Sequence, residues 1–599
     1  MPQIVTIASN ATVAKLHQPS RELKLAAQAI LSYGADNLHS SALTKPANWS
    51  GASSFLDFRT GVFPAGFVHY LSAKLRRQGY EVRHVKKPLP TPFGPELPVI
   101  DRFGYEGRYD YQPEVVRRLR KHGQIIAQVA TGGGKSRIAR MAFASLNLPT
   151  LFLTTRSLLM YQMRDTFEQD LGVPVSVLGD GQFGHTMVKD GVETQAIKKM
   201  SVGMVQTLIA RLEEKTIGGE VKRMADAGIN REMKEITLLR QQLEAKQTPK
   251  PDIRRRLKEV ESRQNANRMS ISDMTTIAKA KVDQHMRERA QTIQLLSLFS
   301  FVILEEAHEA SGNSYYEILR HCKNAHYRLA LTATPFMKES EEANMRLMAC
   351  AGPIAIRVTE QMLIDRGILA QPHFRIVPLK VKPPKLHRLT PWQTAYRIGI
   401  VENEERNAKV VQECVRAAQY RLSTMVLIQH TRHGDILLAL LQKQDLRVEY
   451  IQGEDDHAGR KAALRRLAQG EIDVLIGTTI LDVGVDVPAV GMVILAGGGK
   501  AEVALRQRIG RGLREKKTGP NIALIVDFAD NFNDYLKLHA RQRLAIIKGT
   551  PGFDRNVLED GADFDFSALY PMQKIPTVCQ RQENRATPPA NRLYEWPCC

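Results

Sequence analysis

Three stretches of the chain hold residues whose types and spacing suit phosphate chemistry. The first is QIIAQVATGGGKSRIAR, residues 124–140. Thr131 leads into Gly132, Gly133 and Gly134, which supply the backbone freedom of a tight anion-cradling turn. Lys135 and Ser136 then open a helix. Backbone N–H groups and the positive end of the helix dipole face an anion in that geometry, with Lys135 beside the β and γ groups and Ser136 on Mg²⁺. A nucleoside triphosphate is the expected ligand; a glycine turn before an ordinary helix is the plainer alternative. The second stretch is FVILEEAHEA, residues 301–310. A carboxylate at such a strand end holds the metal, usually through its water, and a second one positions or deprotonates the attacking water. Glu305 is assigned the first task and Glu306 the second. The third is VALRQRIGRGLR, residues 503–514. A guanidinium stabilises charge on a γ-phosphate only by reaching across a cleft, so Arg511 and Arg514 suit a finger role while Gln507 faces the phosphates or water.

The elements that must position these groups follow a β/α rhythm. Ile125, Ile126 and Val129 give the apolar run of a buried parallel strand before the glycines, and Phe301 to Leu304 repeat it before the glutamates. Leu151 to Leu153 form a strand ending in Thr154, Thr155 and Arg156, and Val202 to Val205 one ending in Gln206 and Thr207. Ligands bind at strand ends in open α/β sheets, and hydroxyls with an arginine suit sugar-phosphate contacts. Taken singly, each of these residues also suits a helix cap. A second series starts at TMVLIQHTRHGDILLALL, with Thr431 and Arg432 at a strand-helix junction. IDVLIGTTILDVGVDVP then runs Val474 to Ile476 into Thr478 and Thr479, with Gly484 and Asp486 in the loop.

A length of 599 residues implies about three to four domains. Apolar content of 43% and charged content of 25% are those of a globular chain that buries a sizeable core. The excess of 84 Lys and Arg over 63 Asp and Glu, +21, favours a polyanionic partner. No apolar run of about 18 residues exists and the N-terminus lacks the order of a signal peptide. Nucleic acid is therefore the expected partner, no membrane is, and the chain is expected inside the cell. Cys322, Cys350, Cys414, Cys579, Cys598 and Cys599 show neither paired CxxC spacing nor histidines at zinc distances, so neither a zinc site nor a disulfide framework is expected.

Residues 1–95 form a separate small α+β domain. Phe63, Phe67, Leu71 and Leu75, four apart, predict one helical stripe ending at Lys74, Arg76 and Arg77, and YEVRHV alternates like a strand. Residues 1–100 carry 11 Lys and Arg against 5 Asp and Glu, which fits contact with duplex backbone and fits equally a solvated basic face. Pro88, Pro90, Pro92, Pro95 and Pro98 mark a stiff linker. The rhythm stops over about 212–291, where Met233, Ile236, Leu239 and Leu243, then Ile253, Leu257 and Val260, flank Pro249 and Pro251. This predicts a helical hairpin inserted into the first β/α series, either a solvated hairpin or an arm that holds or splits a nucleic-acid junction. Beyond about 546 the periodicity fades into an irregular tail, in which Trp596 suits either local packing or a partner.

In this order the motifs resemble those of superfamily two helicases in their DEAH form, over roughly residues 105–545. Helicase-type loops tolerate Val129 where the simplest phosphate loop has its first glycine. Glu305 stands where the family normally has aspartate and is one methylene longer. The resemblance implies ATP and Mg²⁺ as cofactors, Gln112 reading the adenine edge from 23 residues before Lys135, and His308, Thr332 and Thr334 linking hydrolysis to grip on the strand. It also implies that Thr155, Arg156, Gln206, Thr207, Thr431, Arg432, Thr478 and Thr479 touch nucleic acid, and that Gly484 and Asp486 sit near the ribose or metal. The implied fold class is α/β, with two tandem RecA-like (P-loop) domains at 100–360 and 370–545, the small N-terminal α+β domain, the inserted helical hairpin, and a tail at 546–599. DFRTGVFPAGF and GIVENEERNAKVV, the latter residues 399–411, look like bacteriophage and bacterial DNA repair helicases of the UvsW kind. That finer likeness implies translocation on branched DNA in the cytoplasm of a bacterial or phage-infected cell. An RNA helicase and the motor subunit of a restriction or defence system stay open, because such a motor contacts backbone. So does a catalytically silent nucleic-acid coat.

Overall fold

The computed structural model describes residues 3–570 apart from 35–51, 100–106, 190–191, 247, 337–339, 453–456, 479–489, 500–501, 517–518 and 560. The chain divides into two compact units, one made of Met1–Gln128 and Ser136–Ile356, the other of Val129–Lys135 and Arg357–Cys599.

The first unit begins with an α+β module: β1 (Ile4–Ser9), β2 (Val13–Leu16), α1 (Arg21–Ile30), β3 (Ser32–Gly34), β4 (Ala52–Ser54), β5 (Val62–Pro64), α2 (Val68–Arg77) and β6 (Glu81–Lys86). Its main sheet runs β5-β2-β1-β6, with β1 and β6 parallel. The Phe63-Phe67-Leu71-Leu75 stripe is wholly buried, but only its second half is α-helical. Phe63 lies in β5 and Phe67 in a 3-10 turn, because Phe63 pairs with Ala14 of β2 and that ladder holds the chain extended. The proline segment is laid against the body: Phe93 N donates to Leu146 O at 3.0 Å and Tyr327 Oη to Pro90 O at 2.9 Å. Gly94 is needed there, since a Cβ would collide with the Ala144 carbonyl.

Next come α3 (Tyr111–His122), β7 (Gln124–Val129), α4 (Lys135–Leu146), β8 (Thr150–Thr154), α5 (Ser157–Leu171), β9 (Val175–Gly179), β10 (Gln182–Lys189), β11 (Val192–Ala196), β12 (Met200–Met204) and α6 (Val205–Leu212). After an insertion follow β13 (Phe301–Glu305), α10 (Asn313–His321), β14 (Tyr327–Thr332), α11 (Glu341–Ala351) and β15 (Ile354–Val358). The sheet order is β11-β10-β9-β12-β8-β13-β14-β7-β15. From β9 to β7 every pairing is parallel. Strands covered on both faces must be apolar throughout, and Phe301, Val302, Ile303 and Leu304 are all fully buried. Each such side chain contributes about 1.5–3 kcal/mol relative to exposure.

The insertion holds three helices where the apolar stripes predict a hairpin of two. They are α7 (Ile217–Ala245), α8 (Lys250–Asn267) and α9 (Ile271–Leu298). Thr216 and Ser270 cap α7 and α9, accepting from Gly219 N and Asp273 N. The hairpin is α7 and α8; α9 returns the chain to the body. Its buried residues, Ala278, Val282, His285, Thr292, Leu295 and Leu296, keep helical spacing, but His285 and Thr292 break the apolar run that would read as a stripe.

The second unit contains α12 (Glu360–Asp365), β16 (Gln371–Pro378), α13 (Trp392–Tyr396), α14 (Glu404–Gln419), β17 (Thr424–Leu427), α15 (Thr431–Leu441), β18 (Val448–Ile451), α16 (His457–Gln469), β19 (Val474–Gly477), β20 (Met492–Ile494), α17 (Glu502–Gly512), β21 (Ile522–Ala529), α18 (Asp534–Lys548) and α19 (Phe566–Leu569). Its sheet, β16-β21-β20-β17-β19-β18, is wholly parallel. The expected irregular tail is in part core: Phe564, Phe566 and Tyr570 are buried in the same cluster as Val426 and Ile476, and Val557 bridges to Phe374. The segment has no helical period because it packs through isolated aromatics. Trp596, Cys579, Cys598 and Cys599 lie outside the described residues. Cys322, Cys350 and Cys414 are buried free thiols. Burial pushes the Cys322 and Cys350 thiols up to about 12, which suits inert core residues. Among the described residues no helix is long and apolar enough to cross a membrane.

Candidate nucleotide and strand-contact site

Parallel pairing brings the carboxyl ends of β7, β14, β13, β8 and β12 to one rim of the first unit's sheet. Glu305 stands opposite Leu331, and Thr332 opposite Gln128. The strand before the glycine loop and the strand before the glutamates are therefore separated only by β14, roughly 10 Å across two strand spacings.

Glu305 is 5% exposed. Glu306 leaves the strand with φ 45 and ψ 50, a left-handed conformation in a non-glycine residue, of the kind that costs about 1–3 kcal/mol and persists where the surroundings over-determine it. That turn sets Glu306 Oε2 3.4 Å from His308 Nδ1. His308 Nδ1 is also 3.2 Å from Thr332 Oγ1, which accepts from Thr334 N at 3.2 Å. His308, Thr332 and Thr334, expected to act together, thus form one contact chain that starts at a glutamate. Tyr315 Oη is buried close by, without a hydrogen-bond partner among the described residues. Burial, then the charges of Glu309, Glu305 and Glu306, hold its proton on.

Three of the residues expected to contact a strand, Thr155, Arg156 and Gln206, meet on the same rim. Gln206 Nε2 donates to Thr155 O at 2.9 Å, Thr155 Oγ1 donates to Glu309 Oε2, and Arg156 Nη2 lies 3.7 Å from Glu309 Oε1. Gln206 and Thr207 open α6 rather than end a strand, since β12 stops at Met204. Glu309 is the member that sequence reading missed; its only signal was its place four residues after Glu305. Gln112 is 1% exposed inside the first turn of α3, and its Oε1 accepts from Arg137. Arg137, two residues after Lys135, is a second such omission.

The glycine loop turns as required, with φ +84 at Gly132 and +79 at Gly134, and Lys135 and Ser136 begin α4. Residues Val129–Lys135 group with the second unit. There Ala130 N donates to Val358 O at 2.9 Å, and a Cβ on Gly510 would come within 2.7 Å of Thr131 Cγ2. Only glycine lets α17 approach Thr131 so closely.

In the second unit Thr478 is 7% exposed with Oγ1 buried. Thr431 begins α15 and is exposed, and Arg432 pairs with Glu402 at 2.8 Å. Arg514 is exposed just past α17. Thr479, Gly484 and Asp486, and the side chains of Gln507 and Arg511, lie outside the described residues.

The loop that leads into α17 is gripped by its carbonyls. Arg406 Nη1 donates to Ala496 O, Tyr396 Oη to Gly497 O at 2.7 Å, Gln429 Nε2 and Arg508 Nη1 to Gly498 O at 3.3 Å, and Arg543 Nη1 to Gly499 O at 2.9 Å. Asp530 sits between the two deepest donors, 3.0 Å from Arg406 and 3.3 Å from Arg543. Arg406 is 0% and Arg543 2% exposed. Removing one partner from such a buried group costs about 3–5 kcal/mol. Asp530→Ala is therefore expected to lower the thermal midpoint of the second unit by several degrees, whereas Asp530→Asn, which keeps an acceptor, lowers it less. Equal midpoints for Asp530→Ala and the parent chain would refute the grip.

Residues 107–337 match the family model for the type III restriction enzyme res subunit, and residues 406–516 the helicase conserved C-terminal domain. The ATP-dependent DNA helicase uvsW of Enterobacteria phage T4 is 24% identical over 244 residues, covering 40% of this chain and 48% of that protein. UvrABC system protein B of a Prochlorococcus marinus strain is 35% identical over 111 residues, 18% of this chain and 16% of that one. The crystal structure of T4 UvsW covers 94% of this chain and 99% of its own with a TM-score of 0.39 and 16% identity. The chain spans about half the length of uvsW, 48%.

Proposed function

Because the chain belongs to the superfamily two helicases and resembles their UvsW kind, we propose that it hydrolyses ATP to drive movement on nucleic acid, with branched DNA as the substrate. It has the two tandem RecA-like domains of that superfamily. The observation that carries the reading is the contact chain from Glu306 through His308 to Thr332, on the rim where Thr155, Arg156 and Gln206 also meet. A carboxylate placed to act on water is there tied, through two side chains, to the segment that leads toward the strand-contact residues.

The backbone N–H groups of Gly132 to Gly134 and the Lys135 ammonium hold the phosphates, while Gln112, fixed by Arg137, reads the base edge. Ser136 and Glu305 would hold Mg²⁺, which when bound neutralises phosphate charge. One hydroxyl and one carboxylate suit an ion that keeps most of its waters. No cluster of three or more His, Cys, Asp or Glu able to hold a metal occurs among the described residues. Glu306 orients and accepts the proton of the attacking water. Arg511 and Arg514 carry the arginine role on the phosphoryl group, with Gln507 beside them. His308, Thr332 and Thr334 pass the change at Glu306 to the residues that hold the strand, Thr431, Arg432, Thr478 and Thr479 among them.

The test compares ATP turnover stimulated by duplex, single-stranded, forked and four-way-junction DNA and by RNA, at matched salt because salt alone shifts binding. Forked or four-way DNA is expected to stimulate most. RNA stimulating best would remove the DNA assignment and leave the motor; no stimulation by any of them would remove the motor too. The match to a restriction res subunit favours one second reading, a motor subunit of a restriction or defence system. Long linear duplex outperforming every junction would select it.

A further inference from the structure

At the rim of the first unit opposite Glu305, the N-terminal module and the motor sheet enclose a cleft that none of these activities uses. The ends of α2, β6 and α3 converge there on the amino-terminal ends of β7 and β14, about 20 Å along the strands from their carboxyl ends. The inner part is a cavity of about 40 Å³ lined by His69, His84, Lys86, Lys87, His122 and His326. It shares His69, His122 and Gln124 with a trough of about 570 Å³ lined by Arg117, Arg118 and Lys121. Among the residues lining both, Glu114 is the sole acid, and it is already taken by Arg117 and by Arg118, the latter at 2.7 Å.

The seam is built and fixed. Gln124 Nε2 donates to Ala11 O at 2.8 Å, and Gly34 N to Glu341 Oε2 at 3.1 Å. Met345 and Ala349 of α11 belong to the module's own core. His84 Nε2 lies 2.7 Å from Ser9 Oγ, and the His69 ring stands edge-on to His84 and His122 at 6.3 and 5.7 Å. Gln124 Oε1 is buried without a hydrogen-bond partner among the described residues.

We propose that this cleft binds a phosphoryl anion, either the phosphodiester backbone of a nucleic acid or free polyphosphate, against Lys86, Lys87 and His122. Five cations facing one carboxylate form an uncompensated positive field of the kind an anion relieves, with four imidazoles beside them. It goes beyond the motor, because it asks nothing of Lys135 or the glutamates. It also fixes the sign of a pH effect. Desolvation first, then neighbouring cations, lowers every imidazole here. For His69 these are His122, Lys86 and Arg76; for His122, Lys121, Lys86 and Arg118; for His326, Arg328, Lys87 and Lys86. His84 falls to about 4, by burial, Lys86 and His69. The empty cleft thus holds neutral rings near neutrality. An anion favours their protonated form, so binding takes up protons and tightens as pH falls from neutrality into the imidazole range.

The experiment titrates the full chain, without nucleotide, with a short blunt duplex and separately with sodium tripolyphosphate. It follows affinity against salt and against pH, and proton uptake by calorimetry in buffers of different ionisation enthalpy. The double variant Lys86→Gln/Lys87→Gln alters two exposed side chains and is expected to fold. It should weaken binding about tenfold, with a salt slope shallower by about 0.9 for each duplex phosphate it no longer neutralises. His122→Asn should reduce proton uptake. Weakening with duplex alone assigns the backbone as ligand; weakening with tripolyphosphate assigns the free anion. Affinity, slope and proton uptake that are the same in parent and variants for both probes would overturn the site, whatever the ATPase result.

Discussion

Lys135→Ala is expected to reduce nucleic-acid-stimulated ATP turnover by at least about 10²–10³-fold, the order that follows removal of one preorganised electrostatic partner of a transition state. The side chain opens α4 directly after the left-handed Gly134, where its ammonium stands among fixed backbone dipoles. Alanine is the best helix former, so α4 itself gains nothing from the lysine. The thermal midpoint should therefore stay within a few degrees of the parent. The paired measurement, phosphate release and thermal unfolding on the same preparation, separates a damaged site from a damaged fold. Turnover that survives in a folded variant would remove the nucleotide assignment altogether.

For Glu306→Gln the expected result is a fall of about 10²–10⁴ in kcat, the range carried by a positioned general base, with nucleotide binding retained. The amide keeps the size and the left-handed turn at φ 45 but cannot take the proton. Glu306 also faces His308, 3.4 Å away, and His308 faces Thr332. A contrast follows. His308→Ala cuts the chain after the carboxylate, so basal hydrolysis should persist at a substantial fraction of the parent while its stimulation by nucleic acid collapses. Identical losses of basal and stimulated rate in His308→Ala would mean that the histidine serves hydrolysis itself and that coupling runs elsewhere. Full activity in Glu306→Gln would pass the base role to another residue.

Local signals marked the candidate site residues, because a phosphate loop or a strand-end carboxylate works only in one short backbone arrangement. Gly132, Gly134, Lys135 and Ser136 are legible since left-handed turns need glycine and helix starts attract anions. Apolar runs such as Phe301 to Leu304 are legible because strands covered on both faces must be apolar throughout. Contacts made over long sequence separations leave no such mark. Nothing near Arg406 announces that its partner is Asp530 or that both anchor the loop before α17. GIVENEERNAKVV supported a likeness to repair helicases, yet in the fold its Arg406 and Asn407 are buried structural side chains, Asn407 holding His433 at 2.9 Å.

The same reason explains the boundaries that moved. Phe63 and Phe67 kept helical spacing while β-pairing claimed the first of them, α9 hid a sparse buried face among charges, and residues to Tyr570 joined the core through single aromatics. Composition and short-range pattern pointed to the helicase family and named the residues proposed to hold phosphate. The tertiary structure alone decided that Glu309 braces Thr155 and Arg156, that Asp530 anchors the carbonyl grip, and that histidines from α2, β6, α3 and the loop before β14 share one basic cleft. Those pairings depend on which strand ends become neighbours, a property of sheet order that no local window of residues encodes.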